Sequence, residues 1–320
     1  MHDTPRAVGD TAAGAMPALP RLVVFGEALT DFVRTGADQW RSVPGGACWN
    51  VARVASTLGV PTGWGGSVGD DLFGGELLRK SGEAGLDPRF AQRVAQPPLL
   101  AIVHELSPPR YFFVGSADLA FDEARLPPGW REVCEYAHFG CISLVRQPLG
   151  ARLVALAESL HAQGVRISFD PNCRNLMGAD YPALFERLAA ITDLLKLSDE
   201  DLRHIYPSLP ADEALAKVRE RVKPGALLLY TRGADGMTLH LDDRRIEQPA
   251  LAVAVCDTVG AGDACVGGFL ASVLQRPAGD WRGHLRFAAA VAAAACTRAG
   301  AHAPGRIEVE ALLAGAMDPA

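Results

Sequence analysis

The chain has 320 residues, of which 49% are apolar, so it can bury a large core in one main domain. Its 31 basic and 37 acidic residues leave a formal charge of -6, which lacks the diffuse positive field that binds nucleic acid. The longest apolar stretch, residues 287–296, falls short of the roughly 18 residues that cross a bilayer, so no membrane partner is expected. Seven cysteines without a C-x-x-C pattern indicate reduced thiols and a cytoplasmic protein.

The first 20 residues are predicted to be a disordered tail, because they lack the charged start and apolar stretch of a secretory signal. From residue 21 to 310, short apolar runs alternate with segments whose apolar residues repeat every three to four positions. The predicted strands are 22–25, 167–169, 194–197, 227–230 and 251–255, and the predicted helices are 151–163, 183–190 and 264–274. This alternation predicts an α/β fold with a parallel sheet covered on both faces, whose ligands bind beyond the carboxyl ends of the strands.

Two segments, 31–43 and 99–121, interrupt this order with strand-like mixtures of apolar and polar residues. Pro108 and Pro109 supply a turn within the second segment, so both are predicted to form a small sheet beside the main one. The open edge of such a sheet favours a homodimer. Residues 311–320 are predicted to be a C-terminal tail.

The run Asp257-Thr-Val-Gly-Ala-Gly-Asp263 precedes the predicted helix 264–274. Gly260 and Gly262 leave the backbone open there, so the N–H groups at the helix start can bind an anion. A carboxylate beside that anion suggests that Asp263 removes a proton from an attacking hydroxyl. The alternative is a glycine turn with Asp263 capping the helix. A dinucleotide motif would need a glycine at Cys265, and no P-loop sequence is present.

A second motif, Gly45-Gly46 followed by Asn50, stands before another predicted helix. Its glycines allow a polyhydroxylated ligand to approach the backbone, and the Asn50 amide can donate and accept hydrogen bonds. A plain helix start with a capping asparagine is the alternative. Asp31 could accept two sugar hydroxyls, or could be a turn residue.

Together the two motifs resemble the ribokinase (PfkB) family of carbohydrate kinases, and the likeness runs from about residue 21 to 304. Further matching segments are 26–31, 69–74, 170–172, 196–200 and 231–236. The resemblance implies a three-layer α/β/α ribokinase-like sandwich with a predominantly parallel central sheet. It also implies a small β-sheet lid over the sugar, with ATP across the edge of the main sheet.

The resemblance also implies roles for individual residues. The implied sugar-binding residues are Asp31, Gly45, Gly46 and Asn50, and the implied catalytic residues are the base Asp263 with an anion hole at Gly260, Ala261 and Gly262. The implied nucleotide-binding residues are Asn172, Lys196, Ser198, Thr231, Gly233 and Gly236, while Asp257 is implied to hold a monovalent cation such as K+. The chain has Ser198-Asp-Glu-Asp201 where the family often has Asn-x-x-Glu, so Asp201 is the remaining carboxylate for Mg2+.

Segments 27–33, 138–144 and 170–174 are similar to the fructokinase branch, which makes fructose the expected substrate. A 2-keto-3-deoxygluconate kinase is the alternative, but relatives of that kind carry Tyr-Tyr-Arg in the lid where this chain has Phe112-Phe-Val114. Arg174 is expected to contact either a substrate acid or, in preference, the ATP phosphates. Phe112 could stack on the sugar or pack in the lid, and Trp49 could narrow the sugar pocket or pack. A non-catalytic sugar- or nucleotide-binding regulator is the alternative from another class.

Overall fold

The structure, a computed structural model, describes residues 18–106, 109–174 and 176–315. Most of the predicted N-terminal tail and the predicted turn at Pro108 lie outside these ranges.

The main sheet has nine strands in the order β13-β12-β11-β10-β9-β8-β1-β4-β5. Their bounds are β1 (Leu22–Phe25), β4 (Thr62–Gly69), β5 (Ala91–Val94), β8 (Tyr136–Gly140), β9 (Arg166–Asp170), β10 (Leu194–Ser198), β11 (Leu227–Thr231), β12 (Met237–Leu241) and β13 (Arg244–Gln248). Neighbouring strands pair parallel except at one edge, where β12 runs antiparallel to both β11 and β13. The central strands are buried along their length, as expected for a parallel sheet covered on both faces.

Ten helices cover the sheet in the described part of the chain. Their bounds are α1 (Ala47–Thr57), α2 (Leu72–Glu83), α3 (Trp130–Val133), α4 (Leu149–Ala162), α5 (Tyr181–Ala189), α6 (Asp199–Ile205), α7 (Ala211–Arg221), α8 (Ala261–Gln275), α9 (Trp281–Ala295) and α10 (Arg306–Gly315). Helices α1, α2 and α8–α10 share one apolar core, and α3–α7 share a second core on the other face of the sheet. The predicted three-layer sandwich is therefore confirmed. None of these helices is both long and apolar enough to pass through a membrane.

The lid is a separate four-stranded sheet in the order β3-β2-β6-β7. Its strands are β2 (Leu29–Arg34), β3 (Trp40–Gly45), β6 (Leu100–Leu106) and β7 (Pro109–Val114). It is built from the two segments predicted to form a small sheet. The second segment leaves the lid after Val114, because a short 3-10 helix at Ala117–Ala120 returns to the main domain, where Ser67 Oγ donates to the Ala117 carbonyl at 2.7 Å.

One predicted strand and one predicted boundary were wrong. Residues 251–255 form no strand, because the sheet ends at β13 and offers them no partner; Val255 is 62% exposed. Helix α10 continues through residues 311–315, which had been assigned to the tail. Leu312 and Leu313 pack against the core there, which stabilises the extra turn.

Trp49 packs inside the main domain and does not narrow the sugar pocket. Its side chain is fully buried in α1, and Nε1 donates to Ser81 Oγ of α2 at 2.8 Å. The guanidinium of Arg53 lies over the indole ring, 4.4 Å from its centroid. The bulky residue therefore joins α1 to α2.

Candidate active site

The two motifs meet at Asp263, although Asn50 and Asp263 lie 213 positions apart in the chain. Asn50 Nδ2 donates to Asp263 Oδ2 at 2.9 Å, and Asn172 Nδ2 donates to Oδ1 at 3.3 Å. Asp263 lies in the first turn of α8 and is 7% exposed. Its carboxylate accepts from these two side chains, and no side chain caps the start of α8 at Gly260. The capping alternative for Asp263 therefore does not hold.

Burial raises the pKa of Asp263 above that of an ordinary aspartate. The hydrogen bond from Asn50 and the positive charges of Arg174 and Lys196 oppose this effect without cancelling it. A carboxylate with a raised pKa is a better proton acceptor, so the environment suits Asp263 to the role of a general base.

The start of α8 provides the predicted anion site. Gly260 has φ 78°, and a Cβ atom there would come within 2.8 Å of the Ala301 side chain. The Ala261 N–H already donates to the Thr258 carbonyl at 3.2 Å. Gly262 is the second residue of the helix, so its N–H has no intrahelical acceptor and is the best placed of the three for an anion.

Lys196 lies beside this site. A Cβ atom on Gly262 would be 3.5 Å from Lys196 Nζ, and that ammonium lies 3.2 Å from Asp170 and 3.6 Å from Asp201. Burial alone lowers the pKa of Lys196, but the two carboxylates raise it overall, so Lys196 stays protonated. Burial raises the pKa of Asp170 to about 7, against the opposing charge of Lys196. A fixed positive charge therefore faces the place where an anion would bind.

The Asp201 side chain forms hydrogen bonds at the start of α6. Its Oδ2 accepts from the Ser198 N–H at 2.8 Å and from Ser198 Oγ at 2.6 Å, and its Oδ1 accepts from the Cys173 N–H at 2.7 Å. Ser198 Oγ in turn accepts from the Asp201 N–H at 3.0 Å, which completes a capping box. Among the described residues, no group of three His, Cys, Asp or Glu side chains could hold a metal ion. The geometry therefore gives Ser198 and Asp201 a structural role at the start of α6.

The lid and α1 form the predicted sugar wall. The Asp31 carboxylate lies over Gly45, where a Cβ atom would be 2.7 Å from Oδ2. Gly46 has φ 118°, and a Cβ atom there would be 2.6 Å from the Glu27 carbonyl oxygen. Burial raises the pKa of Asp31 to about 6, while the charge of Arg174 lowers it. Asp31, Gly45, Gly46 and Asn50 are thus brought together.

Phe112 does not join this wall. The lid register pairs Asp31 with Ala101 and Ala101 with Phe113, so these three side chains share one face. Phe113 packs with the apolar cluster between the lid and the main domain. Phe112 points to the opposite face, where it is 52% exposed and its ring centroid lies 6.1 Å from that of His104. Phe113 is the better candidate for contact with a sugar.

The charge of Arg174 lowers the pKa of both Asp31 and Asp263, so its guanidinium acts on the predicted sugar wall and on the predicted base. Its Nη1 donates to the carbonyls of Asn172 and Cys173 at 3.0 and 2.8 Å. These two bonds hold the arginine against the loop that carries Asn172.

The remaining predicted residues shape nearby loops. Thr231 ends β11 in register with Ser198, and the 3-10 turn Gly233–Asp235 follows it. A Cβ atom on Gly236 would be 2.3 Å from the Gln248 carbonyl oxygen. Asp257 accepts from the N–H groups of Val259 at 3.0 Å and Gly300 at 2.8 Å, which ties the loop before α8 to residue 300.

Two buried carboxylates were not among the residues selected from the sequence. Glu27 accepts from the Ala47 N–H at 3.1 Å and from Ser143 Oγ at 2.5 Å, so it fixes the start of α1. Asp170 contacts Lys196 and the Asn172 backbone. Glu27 follows the predicted strand 22–25 and Asp170 follows the predicted strand 167–169. A carboxylate just after a predicted strand was the signal that could have identified them from the sequence.

Comparison with known proteins identifies the family of the chain. The model of the pfkB family of carbohydrate kinases matches residues 19–307. The chain belongs to this family. It is 33% identical over 262 residues to a fructokinase of Rhizobium leguminosarum bv. trifolii, covering 79% of each chain. Among solved structures it is similar to the ATP-bound fructokinase of Xylella fastidiosa, with a TM-score of 0.82, 27% identity and coverage of 94% of this chain and 100% of that one. It is also similar to the aminoimidazole riboside kinase of Salmonella enterica, with a TM-score of 0.80, 27% identity and coverage of 91% and 99%.

The capping box generates a stability prediction for this kinase. Ser198→Ala should lower the free energy of unfolding by about 1 kcal/mol, because the Asp201 N–H loses its cap. Urea unfolding measures this change. Ser208→Ala, at an exposed loop position, is the control and should stay within about 0.5 kcal/mol of the parent. Equal stability of the two variants would contradict a working cap at Ser198.

Proposed function

We propose that this carbohydrate kinase transfers the γ-phosphoryl group of ATP to a hydroxyl of fructose. The observation that carries the proposal is the buried Asp263 carboxylate, which is held by Asn50 of the sugar wall at the start of a helix beside Lys196. Asp263 accepts the hydroxyl proton while the sugar oxygen bonds to phosphorus and the bond to ADP breaks. The Gly262 N–H and Lys196 stabilise the charge on the transferred group.

Fructose is favoured over an acid sugar by the charges under the lid. The positive charge of Arg174 is offset by the carboxylates of Asp31 and Asp263. A substrate carboxylate would therefore be repelled by these two negative groups. Curated relatives at about one-third identity are named fructokinases, which supports the same choice. In a panel of fructose, 2-keto-3-deoxygluconate, ribose and adenosine, fructose is expected to have the highest kcat/KM.

Mg2+ is proposed to enter with the phosphates of ATP, because Asp201 is occupied by its cap and Mg2+ commonly keeps its waters and substrate phosphates as ligands. It would neutralise charge on the β- and γ-phosphates. Each Asp257 oxygen accepts one backbone N–H and retains capacity for K+. The seven free cysteines are in keeping with a reducing compartment, and we propose the cytoplasm.

Asp263→Asn tests the role of the base. Turnover with fructose and MgATP should fall by on the order of 10²–10⁴-fold, because the amide cannot accept the proton, while fructose binding persists. In the parent enzyme, kcat should fall as the pH falls through the raised pKa of Asp263, since only the ionised form is a base. Steady-state kinetics from pH 4.5 to 9 with calorimetric fructose binding measure both effects. Parent-like turnover of the variant would remove Asp263 from this role.

Asp31 gives a separate pH dependence. Its pKa is about 6, and protonation replaces an acceptor oxygen with a donor, so fructose affinity should weaken as the pH falls through 6. Calorimetric titration of fructose at pH 5, 6, 7 and 8 measures this trend. Asp31→Asn is the control and should bind weakly with little pH dependence over this range. A parent affinity that is constant from pH 5 to 8 would contradict the assignment.

The outer face of the lid is proposed to bind a second copy of the chain. It exposes 43% of Trp40, 52% of Phe112 and 41% of Val114, which is more apolar surface than an isolated lid should present to water. Phe112→Asp should shift the protein to monomer in light scattering, with an unchanged fructose KM per subunit. Ile307→Asp, at an 84% exposed position on α10, is the matched control and should leave the oligomeric state unchanged. A parent that is monomeric at micromolar concentration would rule out this interface.

A further inference from the structure

We propose that Asp170 is a positioning residue of the active site, which holds Lys196 beside the anion site and Asn172 against Asp263. This inference rests on the function proposed above and deepens it. Asp170 is not itself proposed to touch the substrate. It acts through Lys196 and Asn172, which it contacts.

The carboxylate of Asp170 is the point where three parts of the site join. Asp170 is the last residue of β9 and is 3% exposed. Its two oxygens each lie 3.2 Å from Lys196 Nζ, on the neighbouring strand β10, and Oδ1 also accepts from the Asn172 N–H at 3.0 Å. A buried carboxylate is costly unless it is paired, so these contacts fix their donors in one arrangement.

The first arm reaches the base. The bond from the Asn172 N–H to Asp170 spans two residues and closes a tight side-chain turn. Asn172 adopts φ 39°, a left-handed conformation that needs such support outside glycine. In this conformation its amide donates to Asp263 Oδ1 at 3.3 Å. Asp170 thereby sets one of the two hydrogen bonds that orient the base.

The second arm reaches the phosphoryl group. Lys196 lies between Asp170 and the start of α8, and its charge also lowers the pKa of Asp263. The contacts with Asp170 hold the ammonium in place on the side of the start of α8. Asp170 therefore positions Lys196 where an incoming phosphate would bind.

Asp170→Asn tests this arrangement, because the amide keeps the size and one acceptor oxygen but removes the charge. With fructose and MgATP, kcat should fall by on the order of 10–100-fold, while the fructose KM changes less than about threefold.

Asp193→Asn is the matched control. Asp193 precedes β10 at the other end of the same strand pair, where it accepts from the Ile167 N–H at 2.8 Å and pairs with Lys223 Nζ at 2.8 Å. This variant should lose stability but keep kcat within twofold and the parent pH profile. An equal fall in kcat in both variants, or parent kinetics in Asp170→Asn, would overturn the proposal.

A carboxyl 13C NMR titration gives a readout that needs no substrate. The Asp263 signal, identified by its loss in Asp263→Asn, should change its chemical shift in Asp170→Asn, because the Asn172 amide that contacts Asp263 is no longer held in the same way. An unchanged Asp263 signal would overturn the proposal. Turnover by Asp263→Asn would instead contradict the proposed function. If Asp170→Asn does not fold, the double variant with Lys196→Met removes both buried charges. There kcat should lie below that of Lys196→Met alone, because the arm through Asn172 is also disturbed, and equal kcat in these two variants would overturn the proposal.

Discussion

The hydrogen bond from Asn50 to Asp263 connects the two halves of the active site. Asn50 belongs to α1, which begins directly after the lid strand β3, and Asp263 belongs to the first turn of α8. Both helices pack in the same core, so the bond length depends on how that core places two distant segments. Because α8 is buried on nearly all sides between the sheet and α9, its first turn cannot move without disturbing the core. The base is therefore positioned by packing, and the lid can vary around it.

The burial of charged side chains is the main energetic cost of this active site. Asp263, Asp170 and Asp201 lie within a buried region that also holds Lys196 and Arg174, and isolated charges there would be strongly destabilising. Pairing offsets part of that cost, but burial still raises the pKa of Asp170 and Asp263. The apolar contacts of α8 and α9 supply stability elsewhere in the domain. In exchange, the charges are already oriented when a substrate arrives, which is the condition under which electrostatic stabilisation is most effective.

The sequence predicted the repeated strand–helix order, the lid segments and the Asp263 motif, because these depend on local periodicity and on glycines with few alternative uses. It did not predict which ring faces the cleft. Alternation shows only that Phe112 and Phe113 point in opposite directions, and the choice between them depends on the pairing of β6 with β2 and β7. The apolar run 251–255 was mistaken for a strand since apolar composition does not reveal whether a partner strand exists. The sequence also did not predict that Asp201 closes a capping box with Ser198, since that geometry appears only once the backbone of α6 is in place.

Arg174 explains how the sugar wall and the phosphoryl site influence each other. Its charge lowers the pKa of Asp31 in the lid and of Asp263 in the main domain, so the state of one carboxylate affects the electrostatic environment of the other through a shared cation. In the function proposed above, sugar hydroxyls that donate to Asp31 would disperse its negative charge and leave Arg174 freer to interact with an anion at the start of α8. The proposed sugar and phosphoryl sites would then be coupled in a definite direction, since an occupied sugar wall would favour binding of the phosphoryl group.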